Sequence, residues 1–290
     1  MRALSSMDRM PNLPNSDVLL ARRFRMLLLH LAEEAHRDLD AIPAKPDRAI
    51  HSLRTRMKNL RAILRLVKRR IPGRTGEAIS ELCKRVKDEF SDRRDAHIVA
   101  QLRMEFGVRK KAASRVKRST AGVKPGRRTV AEMTRLVRLL TGLRFDGLGW
   151  DDVIAAHRRS CRKARKAMKE CVAEPNPKLL HALRRPVKEI FYQSRVLQPL
   201  DGTKRRMLLA QRLGDRLGRW NDLQLLVEHA DYAELRGFGK HIAKAQKELL
   251  PSIFKAAAKL FSEKPRDVAK HLRRCVSECP AYAARCVRQA

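Results

Sequence analysis

The apolar residues of this chain recur at three- and four-residue steps wherever they form a pattern, and one stretch of that pattern is written twice. The segment RMLLAQRLGDRLGRWNDLQLLVEHA aligns with ISELCKRVKDEFSDRRDAHIVAQLR at a constant offset of 127. Apolar Leu82, Val86 and Phe90 fall opposite Leu209, Leu213 and Leu217. Arg85, Asp88 and Asp95 fall opposite Arg212, Asp215 and Asp222. Steps of this period place side chains on one helix face. No sustained Val/Ile/Thr alternation and no Asn-Gly hairpin occurs, so the expected class is all-α. The duplication implies a helical unit of roughly 100 residues or more, the size of one compact bundle.

A second repetition concerns charge. His51, Arg54, Lys58, Arg61 and Arg65 form a basic ladder, and their spacing holds them within an arc of about 80° on one helix face. His181, Arg184, Lys188 and Arg195 repeat the first, second, third and fifth of these positions 130 residues later. Leu53, Met57, Leu60, Leu64 and Val67 form an apolar stripe one residue away from the first ladder. From His51 to Gly76 there are nine Lys or Arg and no acid. Solvated helices usually mix signs through i,i+4 pairs, because like charges at that spacing repel. A one-signed stripe of this kind is a footprint of polyanion binding.

Composition agrees. Sixty-six Lys and Arg stand against 31 Asp and Glu, a formal net charge of +35. Such self-repulsion weakens a compact state unless a polyanion offsets it, so the partner class is nucleic acid, an anionic surface or a polyphosphate-like polymer. Aromatics are only 4%, which disfavours base-stacking platforms. No apolar run is long enough to span a membrane, and residues 1–16 lack a signal core. Six scattered cysteines fit a reducing compartment, and the expected location is the cytoplasm.

Along the chain, Asp17 suits an N-cap for a helix over 18–40, and Asp47 for the helix that carries the first ladder. A third helix is expected from Thr75 or Glu77 through Phe90 towards Phe106. Residues 108–128 hold nine Lys or Arg and no acid, and read as a solvated basic linker. Helical pattern resumes at Thr129, and Asp151 or Asp152 suits a cap for the helix after FDGLG. Asn176-Pro177 gives an N-cap and a first-turn proline. Two more helical stretches, split at Pro251 and Pro265, complete the chain. The expected division is a lead-in over 1–16, a first bundle over 17–107, the linker over 108–128 and a second bundle over 129–290.

Four separated motifs carry a resemblance. HSLRTRMKNLR fits H-x-x-R-x-x-x-[K/R]-x-L-R, HALRRPVKEIFY fits its second copy, LGRWNDL fits L-G-x-x-N-D-L, and Arg94-Asp95 is the counterpart of the last in the first half. Together they resemble the CHAD family, the conserved-histidine α-helical domain. The resemblance implies two antiparallel four-helix bundles related by pseudo-two-fold symmetry. It implies binding of long-chain inorganic polyphosphate in a basic groove or pore at their junction, with some members associated with polyphosphate granules, and it does not imply an enzyme. This chain departs from the family pattern at Glu189, where Lys or Arg is usual, and at Phe191, where Arg is usual. Pro186 falls inside the second ladder, where it removes a backbone donor and predicts a kink or a redirected Lys188.

Candidate polyphosphate-binding residues are therefore His51, Arg54, Lys58, Arg61, Arg65, Arg85, His181, Arg184, Lys188, Arg195 and Arg212. Arg supplies a planar donor fork and Lys a mobile point charge for phosphate oxygens. Each histidine could donate to the anion or bond a neighbouring helix, and the surrounding positive charge resists its protonation. Asp88, Asp95, Asp215 and Asp222 read as structural partners of the repeat arginines. The run His271, Cys275, Cys279, with Cys286 beyond it, is a zinc pattern only loosely, and buried small hydrophobes are the better reading. No Gly-rich phosphate loop and no G-x-S-x-G elbow occurs, and no acidic-Lys triphosphate-tunnel motif is evident. No cofactor, catalytic residue or metal is expected. The alternative to polyphosphate is a nucleic acid, RNA in particular, held through its backbone by the same surface. Third is a metal-dependent polyphosphate-acting enzyme.

Overall fold

The computed structural model describes residues 17–107, 123–198, 200 and 202–278. Among these, ten α-helices and no strand occur. They are α1 (Asp17–Asp40), α2 (Pro46–Val67), α3 (Gly73–Asp88), α4 (Ser91–Glu105), α5 (Arg127–Thr141), α6 (Trp150–Ala173), α7 (Pro177–Val196), α8 (Thr203–His229), α9 (Tyr232–Leu260) and α10 (Pro265–Glu278). A 3-10 turn at Lys68–Arg70 follows α2. No helix is long and apolar enough to cross a membrane, among the described residues.

Local chemistry explains several helix starts. Asn176 accepts the Leu179 amide on its Oδ1 at 3.0 Å, and Pro177 opens α7 with a φ already suited to a helix. Asp231 accepts the Glu234 amide at 2.8 Å, while Glu234 accepts the Asp231 amide at 3.2 Å, a reciprocal box at the head of α9. Asp152 closes onto the Gly149 amide at 3.5 Å rather than capping α6 from outside it. Asp47 likewise lies inside the first turn of α2, behind Pro46, where its charge meets the positive helix end.

Helices α1, α2, α3 and α5 pack in a closed ring: α1 on α2, α2 on α3, α3 on α5 and α5 on α1. Their shared core holds Phe24, Leu28 and Leu31 of α1, the Leu53–Met57–Leu60–Leu64 stripe of α2, Ile79, Leu82 and Val86 of α3, and Met133, Leu136 and Leu140 of α5. A second core joins α6, α7, α8 and α9 through Ala164, Leu183, Val187, Ile190, Leu213, Leu217, Ile253 and Leu260. A third, smaller cluster joins Val99 and Leu102 of α4 to Leu223, Leu226, Phe238 and Ile242 of α8 and α9.

The packing redraws the expected division of the chain. The helix read as opening the second bundle at 129 is α5. It starts at Arg127, and its apolar face fills the first core. Val123, inside the expected linker, is buried there too. The first core also takes Val153 and Ile154 from the start of α6 and Val268 and Leu272 from α10. So α6 serves one core with each half, and α10 returns to the first. The remainder of the basic linker, residues 108–122, lies outside the described residues, as do 1–16 and 279–290. The third expected helix is two helices, broken around Phe90, and α9 runs through Pro251 without a break. Helix α7 continues through Pro186.

The two larger cores meet where α2 packs on both α6 and α7, while α4 packs on α8. The two ladder helices are thus direct neighbours.

Candidate functional site

Helix α2 turns its leucine stripe into the first core, so the stripe 100° away must lie at its edge, towards α4 and α7. There the first ladder meets cations from three other helices. Arg54 donates from Nη1 to the Lys87 carbonyl at 2.6 Å and to the Ser91 hydroxyl at 2.8 Å, tying α2 to the α3–α4 connection. Both acceptors are neutral, so neither bond brings a countercharge to Arg54. Burial, partly offset by Asp95, holds the Arg54 pKa below its ordinary value.

Lys58 is the centre of the cluster. Burial first, then the positive charges of Arg184, Arg54, Arg94 and Lys87, push its pKa down to about 7. Those neighbours come from α7, α2, α4 and α3. Lys58 has no carboxylate partner among the described residues. Arg184 is depressed by burial and by Arg94, with Asp222 and Asp215 opposing. Its Nε is buried without a hydrogen-bond partner, as is that of Arg61. Burial together with Arg65 and Arg185 lowers Arg61 as well. The pKa of His51, at the start of the ladder, is lowered by desolvation of its ring and by Lys58, Arg94, Arg54 and Lys188. A cavity of about 360 Å³ opens beside it between α2 and α4, lined by His51, Arg93, Arg94 and His97.

Several other candidates meet carboxylates of the protein. Arg65 pairs with Glu189, whose second oxygen accepts the Ser160 hydroxyl at 2.8 Å. The acid that departs from the family pattern thus neutralises the ladder's last arginine. Lys188 bonds Asp215 at 2.9 Å and lies 5.4 Å from the centre of the Phe191 ring, so the other departure, Phe191, supports a cation from α7. Arg85 pairs with Glu132 of α5 at 2.6 Å, on the first bundle's own seam. His181 and Arg212 are exposed and Arg195 is half-buried. These three do not figure among the charges acting on Lys58.

The cation that sequence reasoning missed is Arg94. It bonds Asp95 at 2.9 Å and Asp222 at 3.0 Å, so one guanidinium holds both copies of the duplicated aspartate and ties α4 to α8. Burial opposes its charge, but the two carboxylates more than compensate and raise its pKa. The signal was present: Asp95 and Asp222 align, yet only the first has an arginine before it, Asn221 taking that place in the second half.

Beneath the cations lies a neutral polar layer. Gln193 donates from Nε2 to the Ala62 carbonyl at 3.1 Å and meets His157 Nδ1 at 3.0 Å, linking α7, α2 and α6. His157 Nε2 lies 3.5 Å from Cys161 Sγ. The residue types are those of a thiol nucleophile with its base, but the protonation is wrong for it. Burial lowers His157 to about 4 and raises Cys161 to about 11, so both are neutral at pH 7. Near the C-terminus, Cys275 Sγ stands 3.6 Å from His271 Nε2. Cys279 and Cys286 lie outside the described residues, and within them no group of three His, Cys, Asp or Glu is placed to hold a metal.

The arrangement can neutralise and orient an extended anion along α2. Among the described residues, the two carboxylates that converge, Asp95 and Asp222, do so on Arg94, and the Cys161–His157 pair is neutral. A search among curated proteins returns no match. The family model for the CHAD domain matches residues 19–231, a span containing both ladders, the Arg94–Asp95–Asp222 tie and the glycine and asparagine of LGRWNDL, and the chain belongs to that family.

Proposed function

We propose that this protein binds long-chain inorganic polyphosphate along the cationic face shared by α2, α4 and α7. The observation that carries the reading is the meeting of Lys58 and Arg184, from the two ladder helices, with Arg54, Arg94 and Lys87 around them and, among the described residues, no acid bonded to either. Cations crowded until burial and mutual repulsion depress their pKa values favour an anion in their midst. An unbranched phosphate chain suits this face. Its oxygens accept from the Arg forks and Lys heads at every step, and it asks for no base recognition. The helical span from His51 to Arg65 covers about 21 Å, room for several phosphates in a row.

On this reading the ring α1–α2–α3–α5 and the group α6–α9 are two four-helix bundles related by a pseudo-two-fold that exchanges α2 with α7. The binding face is the groove at their junction. The protein acts by binding and not by turnover, because the duplicated carboxylates Asp95 and Asp222 are occupied by Arg94. Its place is the cytoplasm, at polyphosphate granules.

A competition titration tests this. Long-chain polyphosphate is expected to resist displacement by RNA or duplex DNA of equal total charge. Ready displacement by RNA would transfer the site to nucleic acid. Incubation with polyphosphate and Mg²⁺ or Mn²⁺ is expected to release no phosphate above the protein-free rate, and release would make the protein an enzyme.

A further inference from the structure

Gly214 and Gly218 stand one turn apart inside α8, where glycine is disfavoured relative to alanine. Neither has a positive φ, so backbone conformation supplies no reason for glycine at either place. The reason lies in α7. A Cβ at Gly214 would come within 2.9 Å of Lys188 Cε, 3.1 Å of its Cδ and 3.3 Å of its Nζ. A Cβ at Gly218 would come within 3.2 Å of Arg184 Nη2 and 3.6 Å of its Nε. The three nearest atoms in each case belong to a cation's side chain, never to backbone. By contrast, a Cβ at Gly76 in α3 would meet Ile71 at an ordinary 3.6 Å.

We infer that Gly214 and Gly218 are positioning residues for the anion site: together they form a bare floor on α8 along which Lys188 and Arg184 lie, and the floor sets how close these cations stand to α2. Lys188 is held on it by Asp215, the residue after Gly214, and by the Phe191 ring. Arg184 lies over Gly218 with its Nε buried and unbonded, and acts on Lys58 across the junction. A methyl group at either glycine lifts the cation without touching the backbone. The fold survives the change and the site does not keep its geometry. This inference rests on the polyphosphate reading.

The test uses the full chain, with Gly214→Ala in wild-type and Lys188→Ala backgrounds and Gly218→Ala in wild-type and Arg184→Ala backgrounds. Affinity for long-chain polyphosphate and thermal midpoint are measured for each. Alanine at either glycine is expected to leave the midpoint unchanged or raised, and to weaken binding on the order of tenfold, the loss of one charge-assisted contact. In the backgrounds that lack the seated cation, the same change is expected to cost no further affinity. Equal losses in both backgrounds would assign the glycines to helix packing and overturn the inference. So would unchanged affinity in the wild-type background. Failure of the unsubstituted protein to bind polyphosphate would instead sink the proposed function, and this inference with it.

Discussion

Lys58 is the residue at which the fold's tolerance of like charge is most exposed. Its ordinary pKa is near 10.4, and burial with four surrounding cations brings it to about 7. Between those values the unfolded chain holds the proton more tightly than the folded one, so this group makes stability rise with pH across that window. Below about 7 it is charged in both states, and its cost to the fold is then greatest. Lys58→Met is therefore expected to stabilise the empty protein at pH 7 in urea unfolding while weakening polyphosphate binding. A bound polyanion restores the proton, so binding near pH 8 is expected to take up protons, seen calorimetrically as a dependence on the buffer's ionisation enthalpy. The uptake should shrink in Lys58→Met. No change in uptake would take Lys58 out of the site. The ladder containing Lys58 was legible from spacing alone, but its standing as the unpaired centre was not. That depends on Arg184, Arg94 and Lys87 arriving from other helices.

At the scale of elements, ion pairs decide which cations build the protein and which, on the polyphosphate reading, are left for the anion. Arg65 neutralises the buried Glu189, and removing it strands that carboxylate. Arg65→Ala is expected to destabilise the fold by about 3 kcal/mol while changing polyphosphate affinity less than Lys58→Ala does. Urea unfolding and a binding titration on the same two variants check this, and a larger binding loss in Arg65→Ala would reverse the assignment. Arg94 ties α4 to α8 through two aspartates, and Arg94→Ala is expected to cost about 1–3 kcal/mol, detectable as early exchange of α4 amides. The helices themselves were readable because period, caps and prolines agree locally, as at Asn176-Pro177. Three features were not. The break near Phe90 carries neither Gly nor Pro, and α9 passes through Pro251 where the sequence suggests a stop. Nothing in the pattern of α5 says which core its apolar face will enter, since membership of a core is decided by neighbours distant in sequence.

For the whole molecule, a net charge of +35 is sustained by spreading most cations over the surface and concentrating a few where the two cores meet. Their mutual repulsion weakens the empty protein, so a bound polyanion is expected to raise its thermal midpoint, and to do so less as salt rises. The internal duplication could be read directly from the 127-residue offset. The crossing of α6 and α10 between cores could not, because it breaks the repeat's symmetry through contacts that period alone does not encode. The central claim is that cations from both ladder helices grip one chain of phosphates, and it is tested most directly by the salt dependence of polyphosphate affinity in the wild type and in Lys58→Ala/Arg184→Ala. If both contact the same chain, the double variant loses affinity at low salt and the slope of log K against log salt falls by roughly two. An unchanged slope would contradict the claim and place the anion elsewhere on the molecule.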